Sequence, residues 1–503
     1  MYTRKEVAHH NARHSCWVII NKQVYDVTRF LDTHPGGAGA ILQHAGTDAT
    51  AVFEATHPAA TLGQLPHECH LGPIKPSVGD PTSNPAFGAK EVGSESARPP
   101  APTPHLHTIQ NLTEFESVAE SILPPNAWAY YSSAADSLAS LRRNRADWSK
   151  ITLRPRILRN VSRVSLSRNI MGHRSSLPVF IAPTARAKLG HPDGELCLAR
   201  AAARHNILYA VSSYASVGHA EIAEGFIKEK TYLIPAGIRS GQGALAFQLY
   251  LPHEKEKGGR ALIAKAKELG YQALLITVDT PVVGKRESDE RLQAELEVSS
   301  SGHAGVQIDV PRQAEPGGDA PVLRGFHSST LDWDDIPWIR DAWGTQPLII
   351  KGIQTAEDAL RASEAGVDGI YLSNHGGRQL DYAPSSIQTL LEINCFCPEV
   401  LKRVEVYLDG GVRRGTDVIK ALCLGATGVG LGRPLLYALS GYGTEGVDKA
   451  LQVLSDEVET SLRLMGVVDV SELDLSFVNT AELERDLVSV RNWHGRFTAR
   501  HKL

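Results

Sequence analysis

Eight short apolar or β-branched runs, each closed by polar or glycine residues, recur along the chain at 179–185, 207–213, 245–250, 273–281, 348–352, 369–374, 405–411 and 428–433. Helical periodicity fills gaps between them at 195–205, 259–270, 355–366 and 416–425. Strands that alternate with helices build a parallel sheet, and eight such units predict a (β/α)8 barrel rather than an open sheet. One connection breaks the rhythm. Between Pro281 and Pro347 the chain crosses a polar stretch, 297–320, before a helix near Trp333. Inserts of that length are expected to be lids or excursions.

Upstream, residues 81–104 hold six prolines among Ser, Gly, Ala and Thr. Such a stretch cannot bury enough apolar surface to offset its ordering entropy, so it reads as an extended linker. The predicted organisation is a small head (1–76), a linker (77–105), a large body (106–485) and a tail (486–503). Lys and Arg number 52 against 56 Asp and Glu, which argues against a nucleic-acid or anionic-membrane surface. No apolar run is long enough for a membrane span. The six cysteines show neither a CxxC pair nor framework spacing, so a reducing compartment is the default. The opening residues, Met1 to Glu6, show neither an apolar h-region nor an Arg/Ser-rich amphipathic segment, so a presequence is expected to be either absent or already removed. The terminal His501-Lys502-Leu503 matches a peroxisomal address only loosely.

In the head, His34 stands in His-Pro-Gly-Gly and His57 lies 23 residues on. Two imidazoles from opposite walls can fill both axial positions of a haem iron, closing it to oxygen and leaving single-electron transfer. His9, His10, His14, His44, His67 and His70 share the head, so the pair alone does not decide. Cys16-Trp17-Val18-Ile19, the 25–31 run Tyr-Asp-Val-Thr-Arg-Phe-Leu, His-Pro-Gly-Gly and His57 together resemble the cytochrome b5 family. That resemblance implies haem b held by His34 and His57.

In a barrel the chemistry lies at the C-terminal ends of the strands. The sixth run ends Ser373-Asn374-His375-Gly376-Gly377-Arg378 and the fourth ends Thr277-Val278-Asp279-Thr280-Pro281. A histidine partnered by a carboxylate makes a general base, and an arginine can grip a substrate carboxylate in a two-bonded fork. Runs seven and eight end Asp409-Gly410-Gly411-Val412-Arg413 and Gly430-Leu431-Gly432-Arg433, the pattern of a barrel's phosphate-binding corner. Lys351 closes the fifth. Each signal alone is also explained by a salt bridge or tight turn; their convergence on one mouth favours a site.

The segments Ser-Asn-His-Gly-Gly-Arg-Gln-Leu-Asp and Leu-Asp-Gly-Gly-Val-Arg-Arg-Gly-Thr-Asp resemble the FMN-dependent L-2-hydroxy-acid oxidase and dehydrogenase family, with matching motifs from about 106 to 480. Residue by residue, the resemblance implies His375 as base, Asp279 as its partner, Arg378 and Tyr130 on the substrate carboxylate, Tyr250 on the 2-oxygen and Arg286 nearby. FMN would touch Pro183, Thr184, Ala185, Ser212, Gln248, Thr277, Lys351 and Ser373, with its phosphate on Asp409, Gly410, Gly411, Arg413, Gly432 and Arg433. Lys351 would sit at the flavin's N1–O2 edge.

The resemblance further implies a small L-2-hydroxy acid as substrate, L-lactate first and glycolate second, cytochrome c as acceptor, and a homotetramer. The compartment would be the mitochondrial intermembrane space or the cytoplasm. An oxidase passing electrons to oxygen and a haem sensor on an inactive barrel are the rival readings. Tyr214 and Arg186 stand where haem-bearing members carry apolar side chains. Tyr214 is expected to line the pocket over the substrate's third carbon with Ala185. Arg186 is expected to point outward; inward, it would favour a second substrate carboxylate.

Overall fold

The computed structural model describes residues 1–34, 38–57, 59–75, 103–233, 243–301 and 327–488. Most of the predicted linker, the polar stretch beyond 301 and the tail beyond 488 lie outside the described residues. So do Pro35, Gly36 and Gly37.

The head is built on a four-stranded antiparallel sheet whose central strands are Ser15–Ile20 and Gln23–Asp26. Their two-residue turn, Asn21-Lys22, has φ of 51° and 63° at the two positions, the left-handed backbone that matches strand twist. Cys16, Val18, Ile20, Tyr25 and Leu31 form its core, and the helix Thr50–Thr56 packs Phe53 against it.

In the body the eight expected strands form a closed barrel, joined in chain order and all parallel: Val179–Ile181, Leu208–Ser212, Ala244–Leu249, Ala273–Thr277, Leu348–Ile353, Gly369–Leu372, Glu405–Leu408 and Gly428–Leu431. Nearly every strand residue is buried, because helices cover one face and the barrel interior the other. That is why these strands read as continuous apolar runs rather than alternation. Phe180, Leu208, Leu275, Ile349, Tyr371 and Tyr407 fill the interior. Below them the hairpin Arg168–Ile170/His173–Ser175 seals the N-terminal end, with the Met171 amide donating to the Tyr407 hydroxyl at 2.7 Å. A filled barrel leaves only its C-terminal mouth for chemistry.

Several boundaries move. Strands four and seven end at Thr277 and Leu408, short of the predicted 281 and 411, since the polar ends turn out of the ladder. The helix predicted from 259 starts at Lys255; Gly258 and Gly259 mask its first turn, and a Cβ at Gly259 would meet Trp338 and Leu251 at 2.8 Å. The polar insert opens with a helix, Glu287–Ser301, that its low apolar content hid. All six cysteines are free thiols. Among the described residues no helix is long and apolar enough to cross a membrane.

Candidate active site

Strand six hands the chain to His375, Gly376 and Gly377, all with positive φ (59°, 66° and 78°). The Asn374 side chain pins the turn by accepting from the Gly377 amide at 3.0 Å, and is itself paired with buried Asn144 at 2.8 Å. The turn sets His375 Nδ1 2.9 Å from Asp279 Oδ1, and Nε2 3.2 Å from the Tyr250 hydroxyl. Room for Asp279 comes from Gly352, at a bulge in strand five with φ 111°. A Cβ there would lie 2.7 Å from the Asp279 Cβ.

Burial pushes the Asp279 carboxyl up, but His375 in its protonated form, the Lys351 charge and the hydrogen bonds from His375 and Thr280 outweigh it and hold it at about 2. Burial lowers His375 below the ordinary imidazole value, and Asp279 only partly offsets that. The imidazole is therefore neutral near neutral pH. With Nδ1 donating to a carboxylate, its Nε2 is an acceptor aimed at the mouth side occupied by Tyr250.

Arg378 donates through Nη1 to the carbonyls of Tyr130 and Ser133, at 2.7 and 2.9 Å, leaving Nη2 buried and without a partner. Burial and neighbouring Arg286 bring it down to about 9. Arg286 Nε is likewise buried and unpartnered. Burial would raise the Tyr130 phenol, yet Arg186, Arg378 and Arg286 together lower it. Arg186 does not point outward as expected: its guanidinium lies 5.0 Å from the centre of the Tyr130 ring. Its positive φ, 58°, turns the side chain back over the mouth.

A ring of buried polar side chains lines the rest of the mouth. Lys351 Nζ donates to Ser373 Oγ at 3.2 Å, and Ser373 donates to Asp409 at 2.7 Å. Gln248 donates to Thr277 at 2.9 Å and accepts from the Ser213 amide at 3.3 Å. Ser212 Oγ accepts from the Tyr214 amide. At the corner after strand seven, Gly410 and Gly411 have φ of 99° and 78°. A Cβ at Gly411 would fall 1.8 Å from the Asn144 carbonyl oxygen.

In the head, His34 ends the helix Thr28–Thr33 and His57 caps Thr50–Thr56. Two imidazoles facing each other across one metal, each with a nitrogen about 2 Å from it, would have ring centres about 6 Å apart. These two are 5.9 Å apart. Phe30, Leu42, Phe53 and Leu62 supply apolar surroundings suited to a flat macrocycle.

Comparison with known proteins decides the kinship. Residues 119–480 match the FMN-dependent dehydrogenase family, and residues 3–75 the cytochrome b5-like haem/steroid binding domain. The chain belongs to the FMN-dependent dehydrogenase family. Over 97% of its length it is 40% identical to an L-lactate dehydrogenase (cytochrome) of Wickerhamomyces anomalus, covering 81% of that protein. It is 39% identical to glycolate oxidase 3 of Arabidopsis thaliana over 74% of this chain and 96% of that one. A doubly substituted flavocytochrome b2 with pyruvate bound superposes with a TM-score of 0.66 at 36% identity, over 77% of this chain and 90% of that structure.

FMN and haem b are thus the cofactors of this dehydrogenase, and its side chains fit them. Buried polar groups are nearly always paired. Here Thr184 Oγ1, Ser213 Oγ, Arg378 Nη2 and Arg413 Nε are buried without partners around one mouth, as a ligand site requires. Pro183 and Ala185 adjoin Thr184 in the chain, and a Cβ at Gly432 would lie 3.5 Å from Thr184 Cγ2. Two expected phosphate contacts are otherwise engaged. Asp409 accepts from Tyr371 and Ser373, and Arg433 donates to the carbonyls of Tyr131, Ser133 and Gly376.

One residue of the mouth escaped the sequence. His327, the first described residue beyond 301, stacks on Tyr250 with ring centres 4.2 Å apart. Its Nδ1 lies 3.3 Å from the Tyr214 hydroxyl, and burial lowers it to about 4. Nothing in the polar insert signals this placement. It emerges from a bridge between His327 and Pro252.

Proposed function

We propose that this dehydrogenase oxidises a small L-2-hydroxy acid, with L-lactate first, and passes the electrons through its haem to cytochrome c. The observation that carries the reading is the His375–Asp279 pair at 2.9 Å, with Tyr250 on its far nitrogen and the free Nη2 of Arg378 beside it. Arg378, with Tyr130 and Arg286, binds and orients the substrate carboxylate. Tyr250 positions the 2-oxygen. Neutral His375 Nε2 accepts a proton from the substrate, and Asp279 holds the resulting imidazolium. Lys351, Gln248, Thr277 and Ser212 face the flavin, and Gly410, Gly411 and Arg413 its phosphate. When bound, FMN supplies the two-electron acceptor and the haem, on His34 and His57, a one-electron exit.

Residues 1–76 form the haem domain and 106–485 the flavin domain in this reading, joined by 77–105 and followed by the tail 486–503. The assembly is a homotetramer and the compartment the mitochondrial intermembrane space or the cytoplasm. The relatives named for L-lactate and cytochrome support the substrate and acceptor.

Rapid mixing of the loaded protein with L-lactate tests the reading: the flavin band should bleach before the haem band reduces, and added cytochrome c should reduce last. Haem reduction ahead of flavin, or no reduction by any 2-hydroxy acid, would overturn it. Peroxide release in place of cytochrome c reduction would assign the electrons to oxygen.

A further inference from the structure

Arg186 stands on the loop after strand one in a left-handed conformation, φ 58°, that an arginine rarely adopts. The surroundings hold it there. The Tyr131 hydroxyl donates to the Arg186 carbonyl at 2.8 Å, and the following amide, of Ala187, donates to Glu195 at 3.1 Å. Glu195 is fully buried and also accepts from the Ser216 amide and hydroxyl and the Val217 amide, tying this loop to the one after strand two. Strained backbone that its neighbours over-determine is a mark of functional sites.

The strain delivers a cation. The Arg186 guanidinium lies 5.0 Å from the Tyr130 ring centre, and that of Arg378 lies 4.8 Å from the same ring. Arg286 acts on the same phenol. Among the described residues none of these three arginines has a carboxylate within ion-pair distance; Asp289 acts on Arg378 and on the Tyr130 phenol from farther off. The single carboxylate of lactate would answer Arg378 and Arg286. Arg186 would be left over, a third positive charge in contact with a substrate-binding side chain.

We propose that Arg186 reads a second anionic group, and that the site takes 2-hydroxy acids whose side chain ends in a carboxylate, of which L-malate is the four-carbon case, alongside lactate. The inference rests on the assignment of His375 and Arg378 to a 2-hydroxy acid. A guanidinium matches a carboxylate in two parallel bonds, whereas lysine offers only a point charge. Graded loss is therefore expected.

The test compares L-malate with L-2-hydroxybutyrate, which has as many carbons but no second charge. kcat/KM for both is measured on the haem- and FMN-loaded full chain as wild type, Arg186→Lys and Arg186→Gln. Binding of the products, oxaloacetate and 2-oxobutyrate, to the oxidised protein is followed by flavin absorbance. The malate-to-hydroxybutyrate ratio should fall by about tenfold or more in Arg186→Gln, as for a lost charge-assisted bond, and by less in Arg186→Lys. Oxaloacetate binding should weaken in step. An unchanged ratio overturns the inference, as does an equal loss on both substrates in both variants, which would mark Arg186 as mere packing on Tyr130. A wild type that oxidises hydroxybutyrate but not malate overturns it too. A wild type inactive on every 2-hydroxy acid overturns the assignment beneath it instead.

Discussion

Asp279 has no exposed side-chain surface and meets Nδ1 of His375 at 2.9 Å, with its second oxygen bonded to nothing. A buried carboxylate that accepts only from this imidazole and, at 2.8 Å, from the Thr280 hydroxyl commits the imidazole to one tautomer and one orientation. It also fixes how the site answers to pH. A base must be unprotonated to work, so kcat/KM rises as pH rises through the His375 pKa. Because burial lowers that pKa, the acid limb should lie below the ordinary imidazole value of about 6.5. Asp279→Asn removes the charge that raises it. The limb should then move to still lower pH, while kcat drops about 100-fold or more. A pH–rate profile whose limb stays in place would separate Asp279 from His375.

Tyr250→Phe deletes the hydroxyl 3.2 Å from His375 Nε2 but keeps the ring that stacks on His327. The expected result is a loss of about tenfold or more in kcat, with an unchanged flavin spectrum and melting temperature. Normal turnover would remove Tyr250 from the reacting atoms.

Replacing either histidine of the proposed haem pair should separate the two halves of the reaction. His34→Ala or His57→Ala should abolish the haem Soret band and the reduction of cytochrome c. Flavin bleaching by L-lactate in rapid mixing should persist. A variant that retains a full Soret band would show that the iron is held elsewhere.

Gly411→Ala tests the phosphate corner. Its φ of 78° is strained for alanine, and the added methyl would fall on the Asn144 carbonyl. Strain of this kind costs more than about 1 kcal/mol. The purified protein should carry less FMN and melt several degrees lower. Full FMN occupancy with an unchanged melting temperature would refute the close approach.

Tyr214 is 43% exposed and its ring lies 5.4 Å from both Tyr250 and His327. Tyr214→Ala should open the wall over the substrate's third carbon and raise activity on L-mandelate relative to L-lactate. One methylene of misfit in a pocket is worth only about 1–3 kcal/mol, so the glycolate-to-lactate ratio should change far less. An unchanged substrate ranking would place Tyr214 away from the substrate.

The barrel was legible because strands buried on two faces cannot alternate, so their apolar runs stood out against polar ends. The site was legible for the same reason, since His375, Asp279, Lys351 and the Gly410-Gly411 turn all terminate such runs. What stayed hidden has no local signature. His327 enters the mouth only through a bridge to Pro252, and its neighbours in sequence carry no periodicity. The direction of Arg186 is hidden because it depends on a left-handed backbone held by the Tyr131 hydroxyl on its carbonyl, 55 residues away, and by Glu195 on the following Ala187 amide. Nothing in the tripeptide Ala-Arg-Ala announces it.

Gly352 offers no side chain, yet the Asp279 side chain occupies the volume that any side chain at this position would need. For anyone redesigning the mouth, 352 is therefore a closed letter. A library that varies it should return glycine from every active clone, and the failures should be folded barrels in which Asp279 has been displaced from His375. Selection at that position would report on the geometry of the His375–Asp279 pair, whose histidine follows the neighbouring strand, through nothing more than a missing methyl.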